Sequence, residues 1–172
     1  MKATALAMAL AAFALLLAAT PAAAERTFSL EGGYRLTIPD GYSPDGSGKR
    51  GVGFTKESDL TAVRVATARN EHPEIKVELL GRAIQDEIEK SGKSVKYGGV
   101  EKIGGNDAYV IYGKDEKDGS GTSFFVYVLP FRDYMHTMTC VCPAENEDAD
   151  AETFDNMAGS LVKEQPRKKE SK

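Results

Sequence analysis

Four stretches between residues 94 and 141, rich in apolar and β-branched side chains, limit what this chain can become more than any other feature. They are Ser94 to Val100, Ala108 to Gly113, Thr122 to Leu129 and Tyr134 to Val141. Between them lie Gly104-Gly105-Asn106, Asp118-Gly119-Ser120-Gly121 and Pro130 to Asp133. Connections this short place consecutive strands side by side and antiparallel. Ala108 to Tyr112 and Phe124 to Leu129 are almost unbroken apolar runs, so side chains on both faces of the sheet require burial. A sheet covered on both sides is expected.

The covers are also legible. Pro73 and Glu74 suit the first turn of a helix, and Val77, Leu80, Ile84 and Ile88 form one apolar stripe beyond them. Gly92 is placed to end it. A second helix is expected from about Ala151 to Val162, with Phe154, Met157, Ala158, Leu161 and Val162 facing inward and Asp148 or Asp150 as N-cap. Earlier in the chain, Phe28 to Leu30 and Tyr34 to Ile38 read as a hairpin or bulged strand ending at Pro39-Asp40-Gly41. Val52 to Thr55 and Thr61 to Arg69 read as further strands, the latter with Val63 and Val65 alternating with Ala62, Arg64 and Ala66. The polar, glycine-rich segment from Ser43 to Gly51 reads as an exposed loop. The fold class is α+β, an antiparallel β-sheet flanked by helices in an α/β/α sandwich.

The N-terminus has the layout of an export signal: Met1-Lys2, an apolar run from Ala3 to Ala19, and a small-residue site at Ala22-Ala23-Ala24. A cleaved leader over 1–24 is expected, then a single α+β domain over 25–163 and a disordered basic tail over 164–172. The mature protein is then periplasmic or secreted, without stable membrane insertion. The formal charge of the whole chain is −4, and loss of Lys2 with the leader makes it more acidic. Nucleic acid is therefore not an expected partner.

The order of elements resembles that of the Mog/PsbP-like superfamily, particularly its exported bacterial DcrB-type members. The residues that carry the likeness are Phe28-Ser29-Leu30, Tyr34-Arg35-Leu36-Thr37-Ile38-Pro39-Asp40-Gly41-Tyr42 and the stretch from Phe154 to Leu161. The resemblance implies the sandwich fold and an accessory or binding role. It supplies no functional residue.

On an extended last strand, Tyr134, His136, Met138, Cys140 and Cys142 share one face. Imidazole, thioether and thiolate suit copper(I) or zinc, and His136, Met138, Cys140 and Cys142 are the candidate ligands of that alternative reading. Buried core positions are the competing reading for Met138 and Cys140. Same-face neighbours stand about 6.6 Å apart along a strand, beyond the reach of an unstrained Cys-x-Cys disulfide. The run Gly46 to Gly51 is not a phosphate loop, because Ser43 and Arg50 stand where the motif needs glycine and Ser or Thr. The acidic run from Glu145 to Asp150 lacks the glycine of a calcium loop. No G-x-S-x-G or H-E-x-x-H pattern accompanies His72 or His136. The sequence thus points to an exported, non-enzymatic binding or accessory protein without a cofactor, acting on an unknown protein or small-molecule ligand. The alternative is a soft-metal or thiol-redox protein. The expected recognition surface lies where Ser43 to Gly51 meets the turn from Asp118 to Gly121.

Overall fold

The computed structural model describes residues 25–48, 51–56, 58–115 and 121–164. The expected leader, the tail from residue 165 onward and the turn residues Asp118, Gly119 and Ser120 lie outside the described residues.

The described chain contains ten strands: β1 (Arg26–Leu30), β2 (Tyr34–Ile38), β3 (Tyr42–Gly48), β4 (Gly51–Lys56), β5 (Ala62–Arg69), β6 (Ser94–Ile103), β7 (Asn106–Asp115), β8 (Thr122–Pro130), β9 (Tyr134–Pro143) and β10 (Val162–Lys163). Helix α1 (Val77–Lys90) joins β5 to β6, and helix α2 (Glu147–Gly159) follows β9 through a 3-10 turn at Ala144–Asn146. Seven strands form one antiparallel sheet in the order β3-β4-β5-β9-β8-β7-β6, and β1, β2 and β10 form a smaller one. The expected meander is therefore its β6-β7-β8-β9 half.

Strand alternation divides the core into two layers. One face of the large sheet presents Phe54, Val63, Val65, Phe125, Tyr127, Leu129, Met138, Cys140 and Cys142 to α2 and the small sheet. The opposite face presents Tyr109, Ile111, Phe124, Val126 and Val128 to Val77, Leu80, Ile84 and Ile88 of α1. Close approach of α1 depends on Gly81, where a Cβ would lie 1.9 Å from the Tyr109 ring. Tyr109 also donates from its hydroxyl to Gln85 on the same helix, at 2.9 Å.

Three boundaries differ from the sequence expectation. Ser43 to Gly51 is not a loop: most of it is the edge strand β3, paired with β4 and irregular between Pro44 and Ser47. An edge position tolerates proline, because one side of the strand needs no ladder donor. Helix α1 begins at Val77 rather than Pro73, with the Ile75 amide closing a turn on the His72 carbonyl at 3.0 Å. Pro73 to Lys76 are exposed, so no burial offsets the cost of ordering another helical turn there. Helix α2 starts at Glu147 and ends at Gly159, which puts Asp148 and Asp150 inside its first turn rather than at the cap. Val162, expected on its buried stripe, is half-exposed and pairs with Arg35 in β10. The turn out of α2 is held by Ser160, whose hydroxyl accepts from the Thr37 amide at 2.9 Å.

Candidate functional site

β9 is extended throughout, and His136, Met138 and Cys140 sit opposite Thr67, Val65 and Val63 of β5. The four proposed soft ligands therefore stand in a row along one strand face, each fully or almost fully buried. Both cysteines are free thiols. Burial pushes the Cys140 thiol well above its ordinary acidity range and the Cys142 thiol up to about 12. Among the described residues no three His, Cys, Asp or Glu side chains converge as a metal site would require. What the row does is pack: Met138, Cys140 and Cys142 belong to the layer beneath α2.

Two polar clusters flank the start of α2. The nearly buried carboxylate of Asp150 accepts from Thr61 Oγ1 at 3.1 Å and pairs with Lys56 Nζ at 3.3 Å, while Lys56 also reaches Asp59 at 3.1 Å. Glu147 accepts from Ser123 Oγ at 2.6 Å and from Tyr112, with Lys114 Nζ 3.3 Å away. These hydrogen bonds, that of Ser123 first, hold the Glu147 carboxyl below its usual range. Every one of these groups is satisfied within its cluster, so both clusters read as ties between α2 and the sheet.

The opposite face of β3, β4, β5 and β9 differs in kind. Helix α1 packs chiefly on β6, β7 and β8, and Met135 and Val141 of β9 join the margin of that layer, which leaves most of β3, β4, β5 and the middle of β9 without a helix on that side. Register builds rows across them. Gly53 pairs with Arg64 and Arg64 with Thr139, while Ala62 pairs with Val141. Beyond Thr139 the first row continues into Val126, which lies beneath α1. At the other end β3 brings Asp45 over Gly53, whose added Cβ would lie 2.9 Å from the Asp45 carbonyl oxygen. The outcome is a groove of about 300 Å3 lined by Asp45, Gly53, Phe54, Ala62, Val63, Arg64, Thr139 and Val141. Arg64 and Asp45 are both exposed and have no ion-pair partner among the described residues.

Of the segments expected to form a recognition surface, the groove includes only Asp45 among the described residues. Asp45 comes from the segment Ser43 to Gly51, whereas Gly121 of the other expected element does not line the groove and instead accepts from the Ala144 amide at 2.7 Å. Arg64 and Thr139 were not singled out. A cation standing alone among small residues on the polar side of an alternating strand was the signal available for Arg64.

No family model matches this chain, and no curated protein matches it. Solved structures do. The solution structure of cyanobacterial PsbP (CyanoP) from Synechocystis sp. PCC 6803 superposes with a TM-score of 0.62 at 13% identity, over 86% of this chain and 96% of that one. LpqN from Mycobacterium tuberculosis, described as involved in cell envelope biogenesis, gives a TM-score of 0.58 at 12% identity, over 81% and 90% of the two chains. A crystal structure from Bacteroides thetaiotaomicron gives 0.62 at 12% identity, over 83% of this chain, which spans 50% of that protein's length. At these identities the likeness is one of fold.

Proposed function

We propose that this chain, whose fold is PsbP-like, is an exported, non-enzymatic binding or accessory protein of the bacterial DcrB type that recognises its ligand in the groove between Asp45 and Arg64. The observation that carries the reading is the uncovered face of β3, β4, β5 and β9. There two opposite charges line one cavity without an ion pair among the described residues. Loops and edges on a rigid sheet are common sites of recognition. Export is supported by the signal-like layout of residues 1–24, and an envelope setting by the description of LpqN.

The test is amide NMR of the mature protein titrated with a small-molecule extract of the host envelope. The resonances of Gly53, Arg64 and Thr139 are expected to shift together and to saturate. Shifts confined to other parts of the molecule would refute the assignment. Mass analysis of protein purified from the native host is expected to begin after Ala24, and an intact leader would refute export.

The soft-metal alternative keeps one supporting observation: Nε2 of the fully buried His136 has no hydrogen-bond partner. Copper or zinc retained by the purified protein and lost from the Cys140→Ser/Cys142→Ser variant would favour that reading.

A further inference from the structure

Resting on the groove as the binding site, we infer that its ligand is a small zwitterion of the α-amino-acid type, held by its carboxylate at Arg64 and by its ammonium at Asp45. The inference starts from the order of residues across the strands. Gly53 on β4, Arg64 on β5 and Thr139 on β9 form one transverse row, and Asp45, in the irregular part of β3 between Pro44 and Ser47, lines the groove at the Gly53 end. Neighbouring strands lie about 4.8 Å apart, so the backbones bearing the two charges are about 10 Å apart. The strand between them carries a glycine at that position and therefore no side chain. The groove thus has an acidic residue on one bank and a basic residue on the other.

Gly53 does not merely happen to be small. A Cβ at that position would press on the Asp45 carbonyl oxygen, so the glycine lets the irregular part of β3 fold inward over β4. Ala62 and Val141 line the groove on the adjacent row, where an apolar side chain of the ligand would lie. The Thr139 hydroxyl borders the Arg64 side.

The chemistry of the two banks suits one ligand class. A guanidinium presents paired donors that match both oxygens of a carboxylate, and an ammonium donates to a carboxylate such as that of Asp45. An α-amino acid carries both groups on one carbon, so it can meet the basic and the acidic bank together. A simple anion or a simple cation would satisfy one bank and bring its charge towards the like charge on the other. Direct pairing of Asp45 with Arg64 is the alternative use of the same residues. An exposed ion pair is weak, so a ligand satisfying both groups at once displaces it.

The test uses the mature protein and the common free L-α-amino acids, with N-acetylated amino acids and amino-acid amides as probes lacking one charge each. Binding is read by calorimetry and by the amide resonances of Gly53, Arg64 and Thr139. At least one free amino acid is expected to bind saturably. Its affinity is expected to fall about tenfold or more for both blocked forms, and likewise in Arg64→Gln and in Asp45→Asn. Arg35→Gln, on the small sheet, is expected to bind normally. Unchanged thermal unfolding of the two groove variants would show that their loss is local. Absence of any shift up to about 10 mM amino acid, or equal affinity for the blocked forms, overturns the inference. If the groove resonances then respond to singly charged compounds or to the envelope extract, the binding groove stands and only the ligand class is wrong. If they respond to nothing, both fall.

Discussion

Thr67 Oγ1 lies 3.0 Å from Nδ1 of the fully buried His136, joining β5 to β9. The imidazole stands edge-on to Tyr34, with ring centroids 4.5 Å apart, and to Phe131 at 5.7 Å. A neutral ring that accepts from Thr67 at Nδ1 carries its proton on Nε2, where aromatic edges and faces are its neighbours. Burial lowers the histidine's pKa from its ordinary 6.5 to about 4.

Stability should therefore depend on pH in a defined window. Between about 6.5 and 4 the unfolded histidine is protonated and the folded one is not, so the unfolded state binds more protons and stability falls as pH falls. The loss is absent above about 6.5 and grows to about 3 kcal/mol by pH 4. Urea unfolding across this range measures it. The Thr67→Val/His136→Leu double variant removes both partners together and should flatten the slope; an unchanged slope would assign the effect to other groups.

Gly81→Ala should destabilise the protein although alanine is the better helix former. Helix propensity favours the change by about 1 kcal/mol, but the new Cβ would overlap Tyr109, and overpacking costs about 1–3 kcal/mol or more. A net loss of about 1–2 kcal/mol in denaturant unfolding is expected. Adding Tyr109→Ala would remove the clash with the ring and leave only the Tyr109 Cβ, at 2.4 Å, so the effect of Gly81→Ala in that background should be smaller. Equal effects in both backgrounds would contradict the packing account.

Asp150→Ala leaves the buried Thr61 hydroxyl without its acceptor and Lys56 with Asp59 alone. A loss of about 2–4 kcal/mol is expected. Asp150→Asn should lose less, since its amide oxygen can still accept from Thr61. Similar losses in the two variants would show that charge, not the hydrogen bond, dominates.

Cys140 and Cys142 should not react with a thiol reagent at pH 8 while the protein is folded, and both should react in denaturant, because the thiolate is the nucleophile and burial suppresses it. Mild oxidation should leave them unbridged, given their spacing along an extended strand. Rapid labelling of the folded protein would revive the redox reading.

The sequence made the meander and both helices legible because their patterns are local. Val63 and Val65 alternate with small or polar residues, and Val77, Leu80, Ile84 and Ile88 recur at helical spacing. It hid β3, since Tyr-Ser-Pro-Asp-Gly-Ser-Gly has the composition of a turn and becomes a strand only through pairing with β4. Asp150 has the sequence position of a cap, but its carboxylate is taken by Thr61 and Lys56, 89 and 94 residues away along the chain. The groove was hidden for a similar reason. Asp45 reaches Arg64 through β3, whose pairing its composition conceals, and Thr139 joins them only because β5 pairs with β9, a long-range partnership that nothing local in either segment announces.

The asymmetry of α1 separates two demands that most sheet positions must meet together. Beneath β3, β4, β5 and β9 the inward residues Phe54, Val63, Val65 and Met138 hold the domain together, while Ala62, Arg64, Ala66, Thr137 and Thr139 lie on the other face, Arg64 and Ala66 exposed and the rest half-buried. Replacing members of the second set leaves the first untouched, so what this surface selects can drift through single substitutions with little thermodynamic penalty. The bare half-sheet is, in that sense, the part of the molecule where specificity is free to evolve.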